Sequence, residues 1–225
     1  MIKPLVVADG TLEALKWPGL VLMTLDHINK YLFAENLPGI FEAGRLAVPI
    51  FCFVLAYNLA RPGALRRGVH QRTMKRLAFY GLLASPFFIA LGGWWPLNIL
   101  FMLLVATGTI YLLEKGGTGR IIAAVAVFIV GGLFVEFWWP ALALCLAAWR
   151  YCKAPGKLAA AVLVAATASL YLINRNHWAL AALPVVFTAL YFDIRMPRWR
   201  HVFYAYYPAH LGLLLALSRF DFAGG

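Results

Sequence analysis

An all-α bundle of about nine membrane-spanning helices is the fold class the sequence predicts, and three observations predict it. Of the 225 residues 63% are hydrophobic and 13% charged, with a mean hydropathy of +0.78, whereas soluble domains carry about 25% charged residues. Apolar runs recur along the whole chain, each near the ~20 residues that a hydrocarbon core requires. The Lys and Arg residues gather in short connections between those runs, which is the topogenic pattern of membrane proteins. The formal net charge of +11 is therefore not read as a nucleic-acid face, and no nucleic-acid partner is expected.

Taken in order, helices are expected at 12–33, 44–60, 77–92, 96–113, 121–137, 139–151, 158–174, 177–192 and 202–218. The turns between them (GGWWP, EKGGTGR, FWWP, RYCKAPGK, NRNH) leave no room for a separate soluble domain, so residues 1–225 read as one bundle. The spans on either side of FWWP are short, and one of them is expected to tilt or re-enter. The first residues lack a basic n-region and a cleavage site, so the first span is expected to be retained. The loop after the second run carries Arg61, Arg66, Arg67, Arg72, Lys75 and Arg76. The same side receives Lys115, Arg120, Arg150, Lys153, Lys157, Arg195, Arg198 and Arg200, and the opposite side only Arg175 and Arg219 in its loops and tail, with Lys30 and Arg45 near helix ends. This asymmetry predicts a cytoplasmic N-terminus and a periplasmic C-terminus in the bacterial inner membrane. Trp94, Trp95, Trp138, Trp139 and Trp178 then mark the outer interface, where indole rings favour the headgroups.

Chemistry-bearing residues concentrate in the first span. Asp26 and His27 are adjacent inside an otherwise apolar run. Each costs several kcal/mol in hydrocarbon unless it is paired or faces a polar cavity, so the pair is a functional candidate by default. Lys16, Leu20, Met23 and His27 follow the three-and-four spacing of one helical face. Lys16 and His27 are thus within roughly 20° of each other and about 16 Å apart along the axis. A cation at the inner mouth and an imidazole deeper in suit an elongated, anionic cytosolic donor. Asp26 points about 100° away, toward Lys30 or a neighbouring helix, and Asn29 extends the polar patch. Arg45, Asn98, Tyr207 and His210 fall at similar depths in other spans, and each is either a helix-packing hydrogen bonder or part of the same site.

Cys52, Cys145 and Cys152 have no metal-ligand spacing, no HExxH segment occurs, and no glycine-rich phosphate loop precedes a helix. The serines lack a nucleophile elbow. What remains is metal-free group transfer assisted by a histidine base with a neighbouring carboxylate. The alternative from another class is a small proton-coupled transporter using Asp26 and His27 as a relay.

The segments LKWPGLVLMTLDHINKYLF, GRLAVPIFCFVLA, PLNILFMLL and FYAYYPAHL, in that order, resemble the TraX family, the F-pilin acetylases of conjugative plasmids. The lysine-to-histidine spacing of the first helix is also similar to that of integral-membrane acyltransferases. The resemblance implies transfer of an acetyl group from cytosolic acetyl-CoA to the N-terminal amine of membrane-resident pilin, or to another membrane or periplasmic acceptor, without a metal. It implies His27 as catalytic base, with Asp26 its partner. Lys16 and Arg45 would bind donor phosphate or stabilise an oxyanion, Arg45's outer position suiting the second role. Asn29, Asn98, Tyr207 and His210 would line the site. A non-catalytic pilus-assembly factor is the remaining alternative, and oligomeric state is not legible.

Overall fold

The computed structural model describes residues 5–199 and 201–221. Among them the chain is all-helical, in the order α1 (Asp9–Leu32), α2 (Pro38–Gly44), α3 (Ala47–Ala60), α4 (Val69–Gly92), α5 (Ile99–Lys115), α6 (Thr118–Gly132), α7 (Trp138–Lys153), α8 (Lys157–Ala168), α9 (Tyr171–Asn174), a 3-10 turn (Trp178–Ala181), α10 (Ala182–Ala189) and α11 (Val202–Asp221). Every apolar run therefore forms helix. Among the described residues three stretches are long and apolar enough to cross a membrane: Pro38–Ala60, Val69–Gly92 and Lys157–Asn174. The other described helices, α1 and α11 among them, do not combine that length with sufficiently apolar composition.

The boundaries differ from expectation where the sequence hides a break or lacks one. α4 starts at Val69, two turns before the predicted 77. Gly68, in the left-handed region at φ 66, makes the turn, and the polar run HQRTMKR after it contains no breaker. The basic residues Arg72 and Arg76, expected in a loop, are thereby helical. The predicted 44–60 span is interrupted at Arg45–Leu46, between α2 and α3. The 177–192 span begins as a 3-10 turn and its helix ends at Ala189. Arg200, counted among the basic loop residues, lies outside the described residues.

Two apolar clusters hold the bundle. The larger centres on α3, where Ile50, Cys52 and Ala56 are fully buried against Ala141, Cys145 and Ala148 of α7 and Met102 of α5. The small side chains let α3 and α7 backbones approach closely, the favoured mode of helix packing where solvent supplies no hydrophobic drive. The smaller cluster joins Leu77, Ala84 and Phe88 of α4, Leu100 of α5, and Tyr207 and Leu211 of α11. The outward faces remain apolar: Phe79, Leu82, Ile122, Val130, Leu158 and Leu213 are each about half exposed or more, a belt that water would oppose and lipid would cover.

Candidate active site

Between the two clusters runs a cavity of about 550 Å³, within the size range of small-molecule sites. One face of α1 walls its whole length: Glu13, Lys16, Leu20, Met23, His27 and Lys30 recur at three- and four-residue spacing, as one helical stripe must. From Glu13 to Lys30 that stripe rises about 25 Å, most of a hydrocarbon thickness. Val48, Phe51, Leu55 and Asn58 of α3 form the opposite wall, and α4, α5 and α11 close the sides. Lys16 and His27 do share this cavity, as their spacing predicted.

His27 sits in the wall of the cavity, and its partner is His210 rather than Asp26. His27 Nδ1 and His210 Nε2 are 2.7 Å apart, with the rings within 7° of coplanar. His210 Nδ1 lies 3.1 Å from the Tyr206 carbonyl oxygen. A carbonyl only accepts, so His210 donates through Nδ1 and, with both rings neutral, accepts at Nε2 from His27 Nδ1–H. The remaining nitrogen, His27 Nε2, then carries the lone pair. The hydrogen-bond chain thus sets the tautomer a base requires. A second α1–α11 contact, Thr24 Oγ1 to Tyr206 Oη at 2.8 Å, fixes the helices beside it. His210 itself does not line the cavity; it orients the residue that does.

Asp26 is instead engaged by the Arg45 guanidinium, at the break between α2 and α3. Gly44 permits this, because a Cβ there would fall 2.6 Å from the Asp26 Cβ. Lys30, offered as Asp26's partner by its spacing, lies over the Tyr31 ring at 5.3 Å. Lys16 is held 2.7 Å from Glu13 Oε1 and 5.0 Å from the Phe203 ring centroid, so its charge is largely compensated locally. Two expected site residues are structural. Asn29 is fully buried and bonds both the N–H and the carbonyl of Leu37, tying α1 to the entry of α2. Asn98 caps α5 by accepting from the Leu100 N–H and donates to the Gly81 carbonyl.

The two ends of the cavity differ in charge. At one end Arg61, Arg67, Arg72, Arg76 and Arg198 line it. Arg61 and Arg198 share Asp9, at the start of α1. Burial raises the Asp9 carboxyl, but hydrogen bonds and charges from Arg198 and Arg61 outweigh it and hold the group below its ordinary value. Arg72 and Arg76 are one turn apart on α4, and no acidic side chain among the described residues pairs with them. At the other end stand Asp26, Glu35 and Glu136 with Lys30 and Arg45.

Two cavity residues, Glu136 and Glu13, are not among those the sequence singles out. Glu136 is brought in by a short parallel bridge: Leu97 N–H donates to the Phe134 carbonyl at 2.6 Å and Glu136 N–H to the Leu97 carbonyl at 2.9 Å. Phe137 and Trp138, at φ 58 and 43, occupy the left-handed region in succession, a conformation costing roughly 1–2 kcal/mol for each non-glycine residue. Glu13 is buried, with Oε2 unpaired; its i, i+3 relation to Lys16 was the available signal.

The family model described as TraX protein matches residues 11–218. A protein named TraX from Escherichia coli is 34% identical over 129 residues, 57% of this chain and 50% of that protein. The TraX of Escherichia coli strain K12 is 32% identical over the same coverage. An uncharacterised Rickettsia prowazekii (strain Madrid E) protein is 32% identical over 71 residues, 32% of this chain and 24% of that protein. The chain thus spans about half the length of the TraX proteins it matches. No solved structure matches it.

Proposed function

The chain belongs to the TraX family, and on that premise we propose that it is a membrane-embedded acetyltransferase, moving an acetyl group from cytosolic acetyl-CoA to an amine at the far side of the bilayer, the N-terminal amine of pilin. The reading rests on one observation above all: His27, with its base tautomer set by His210, stands in a cavity that has an arginine-rich mouth at one end and carboxylates at the other.

The arginine mouth faces the cytosol in this reading, as the loop charges favour, with the N-terminus inside and the C-terminus outside. Arg72 and Arg76 take the donor's phosphates, since guanidinium matches phosphate geometry. Lys16, already compensated by Glu13, contributes less there. The thioester arm follows the α1 stripe toward His27. The acceptor amine approaches from the Glu136 end, where carboxylates favour a cation. His27 Nε2 removes a proton from the attacking amine, and His210, donating on to the Tyr206 carbonyl, holds the imidazolium in place. Asp26 and Arg45 act as a paired wall near the acceptor rather than as a relay to His27.

Purified protein given acetyl-labelled acetyl-CoA and a pilin peptide with a free N-terminus should transfer the label. His27→Ala should abolish transfer while the protein remains folded, and transfer at the wild-type rate by that variant contradicts the assignment.

A further inference from the structure

Resting on that reading, we infer that Tyr207 is a catalytic residue: its hydroxyl, together with the free backbone N–H of Ile99 at the start of α5, forms the oxyanion hole of the transfer. Tyr207 is 3% exposed, and its hydroxyl is buried without a hydrogen-bond partner although the side chain lines the cavity. A buried hydroxyl left unsatisfied costs about 1–3 kcal/mol, and one facing the cavity beside the base is arranged for a ligand atom. The Tyr207 ring centroid is 6.2 Å from that of His27.

The second donor comes from helix geometry. The first N–H groups of a helix have no intrahelical acceptor and carry partial positive charge. In the 17-residue α5, the Asn98 cap takes the Leu100 N–H and leaves that of Ile99. Ile99 lines the cavity beside Tyr207, and its N–H has no hydrogen-bond partner among the described residues. Two unpartnered donors, the Tyr207 hydroxyl and the Ile99 N–H, thus belong to residues that line the same cavity as His27. Such donors aimed at a developing oxyanion stabilise the transition state more than the ground-state carbonyl.

The step balances as follows. The amine nitrogen lone pair forms a bond to the thioester carbonyl carbon, and the carbonyl π pair moves onto oxygen, which Tyr207 O–H and Ile99 N–H receive. His27 Nε2 takes one proton from the nitrogen. As the oxygen pair returns, the carbon–sulfur bond breaks, and the thiolate leaves and is protonated from His27. The products are an amide and a free thiol.

Steady-state kinetics of the full-length chain with acetyl-CoA and the pilin peptide test this. Tyr207→Phe is expected to lower kcat about 10²- to 10³-fold, to leave the KM for acetyl-CoA within about twofold, and to raise the temperature of thermal unfolding rather than lower it, because it removes a buried hydroxyl that makes no bond in the resting protein. Should the phenylalanine variant fold poorly, 3-fluorotyrosine at position 207 keeps the shape and strengthens the donor, so kcat must change. Tyr207→Phe at the wild-type kcat, or a fluorotyrosine protein with unaltered kcat, overturns the oxyanion role alone. Absence of transfer by the wild type overturns the acetyl-transfer reading and this role with it.

Discussion

The two ends of the cavity solve the same problem, presenting charge at a protein wall, in opposite ways. The arginine end is built on relaxed backbone: the connection from α3 to α4 turns at Gly63 and Gly68, where positive φ is free of Cβ strain. Its cations project from α4, from the connection between α3 and α4, and from the segment before α11. The carboxylate end is built on strained backbone: Ala34, Glu35, Phe137 and Trp138 all hold positive φ without glycine. Non-glycine residues in that region persist where surrounding contacts over-determine them, and they cluster at functional sites. In the proposed transfer, a phosphate-bearing donor needs charge and reach, which long arginine side chains would supply. An acceptor amine needs a defined angle of attack, which a forced turn beside the α5 N-terminus would supply.

That contrast can be broken at several points. The largest effect is expected at the shared centre, where His27→Ala should lower kcat by at least about 10³-fold. The variant should remain folded, with a loss of about 1 kcal/mol for the missing bond to His210. At the carboxylate end, Arg45→Ala strands Asp26 in a mostly buried setting and should cost about 3 kcal/mol of stability, read by thermal or denaturant unfolding in detergent. At the arginine end, the Arg72→Ala, Arg76→Ala double variant should raise the KM for acetyl-CoA about tenfold or more and leave that for the pilin peptide unchanged, an effect of about 1.4 kcal/mol. The reverse pattern, a change in the peptide KM alone, would exchange the roles of the two ends. The smallest effect is expected from Ala34→Gly, which relieves positive φ and should gain at most about 1 kcal/mol with kcat unaltered.

The helices were largely legible because apolar runs at bilayer length leave few alternatives. The α1 stripe is legible because three-and-four spacing survives any detail of packing, and that spacing alone puts Lys16 and His27 on one wall. Pairings across the bundle were not. Asp26 beside His27 in sequence suggested a dyad, yet neighbours in a helix diverge by about 100°, and each found its partner on another element, Arg45 and His210. Asn29 and Asn98 had the polarity of site residues, but a buried amide serves equally to satisfy backbone groups at helix ends, and there they do so. Glu136 escaped because the Leu97–Val135 bridge that delivers it to the cavity joins segments whose sequences carry no strand signal. Arg72 and Arg76 were visible as charge but not as a helical pair, since nothing in their local sequence marks the helix start except Gly68.

The account stands on one cavity serving a donor at the arginine end and an acceptor at the carboxylate end. The most direct measurement uses proteoliposomes with the protein in a single orientation, acetyl-labelled acetyl-CoA sealed on the side of the arginine mouth, and pilin peptide on the opposite side only. The account predicts labelled peptide in the wild type and none in His27→Ala. Label transferred only when donor and peptide share one side would contradict it.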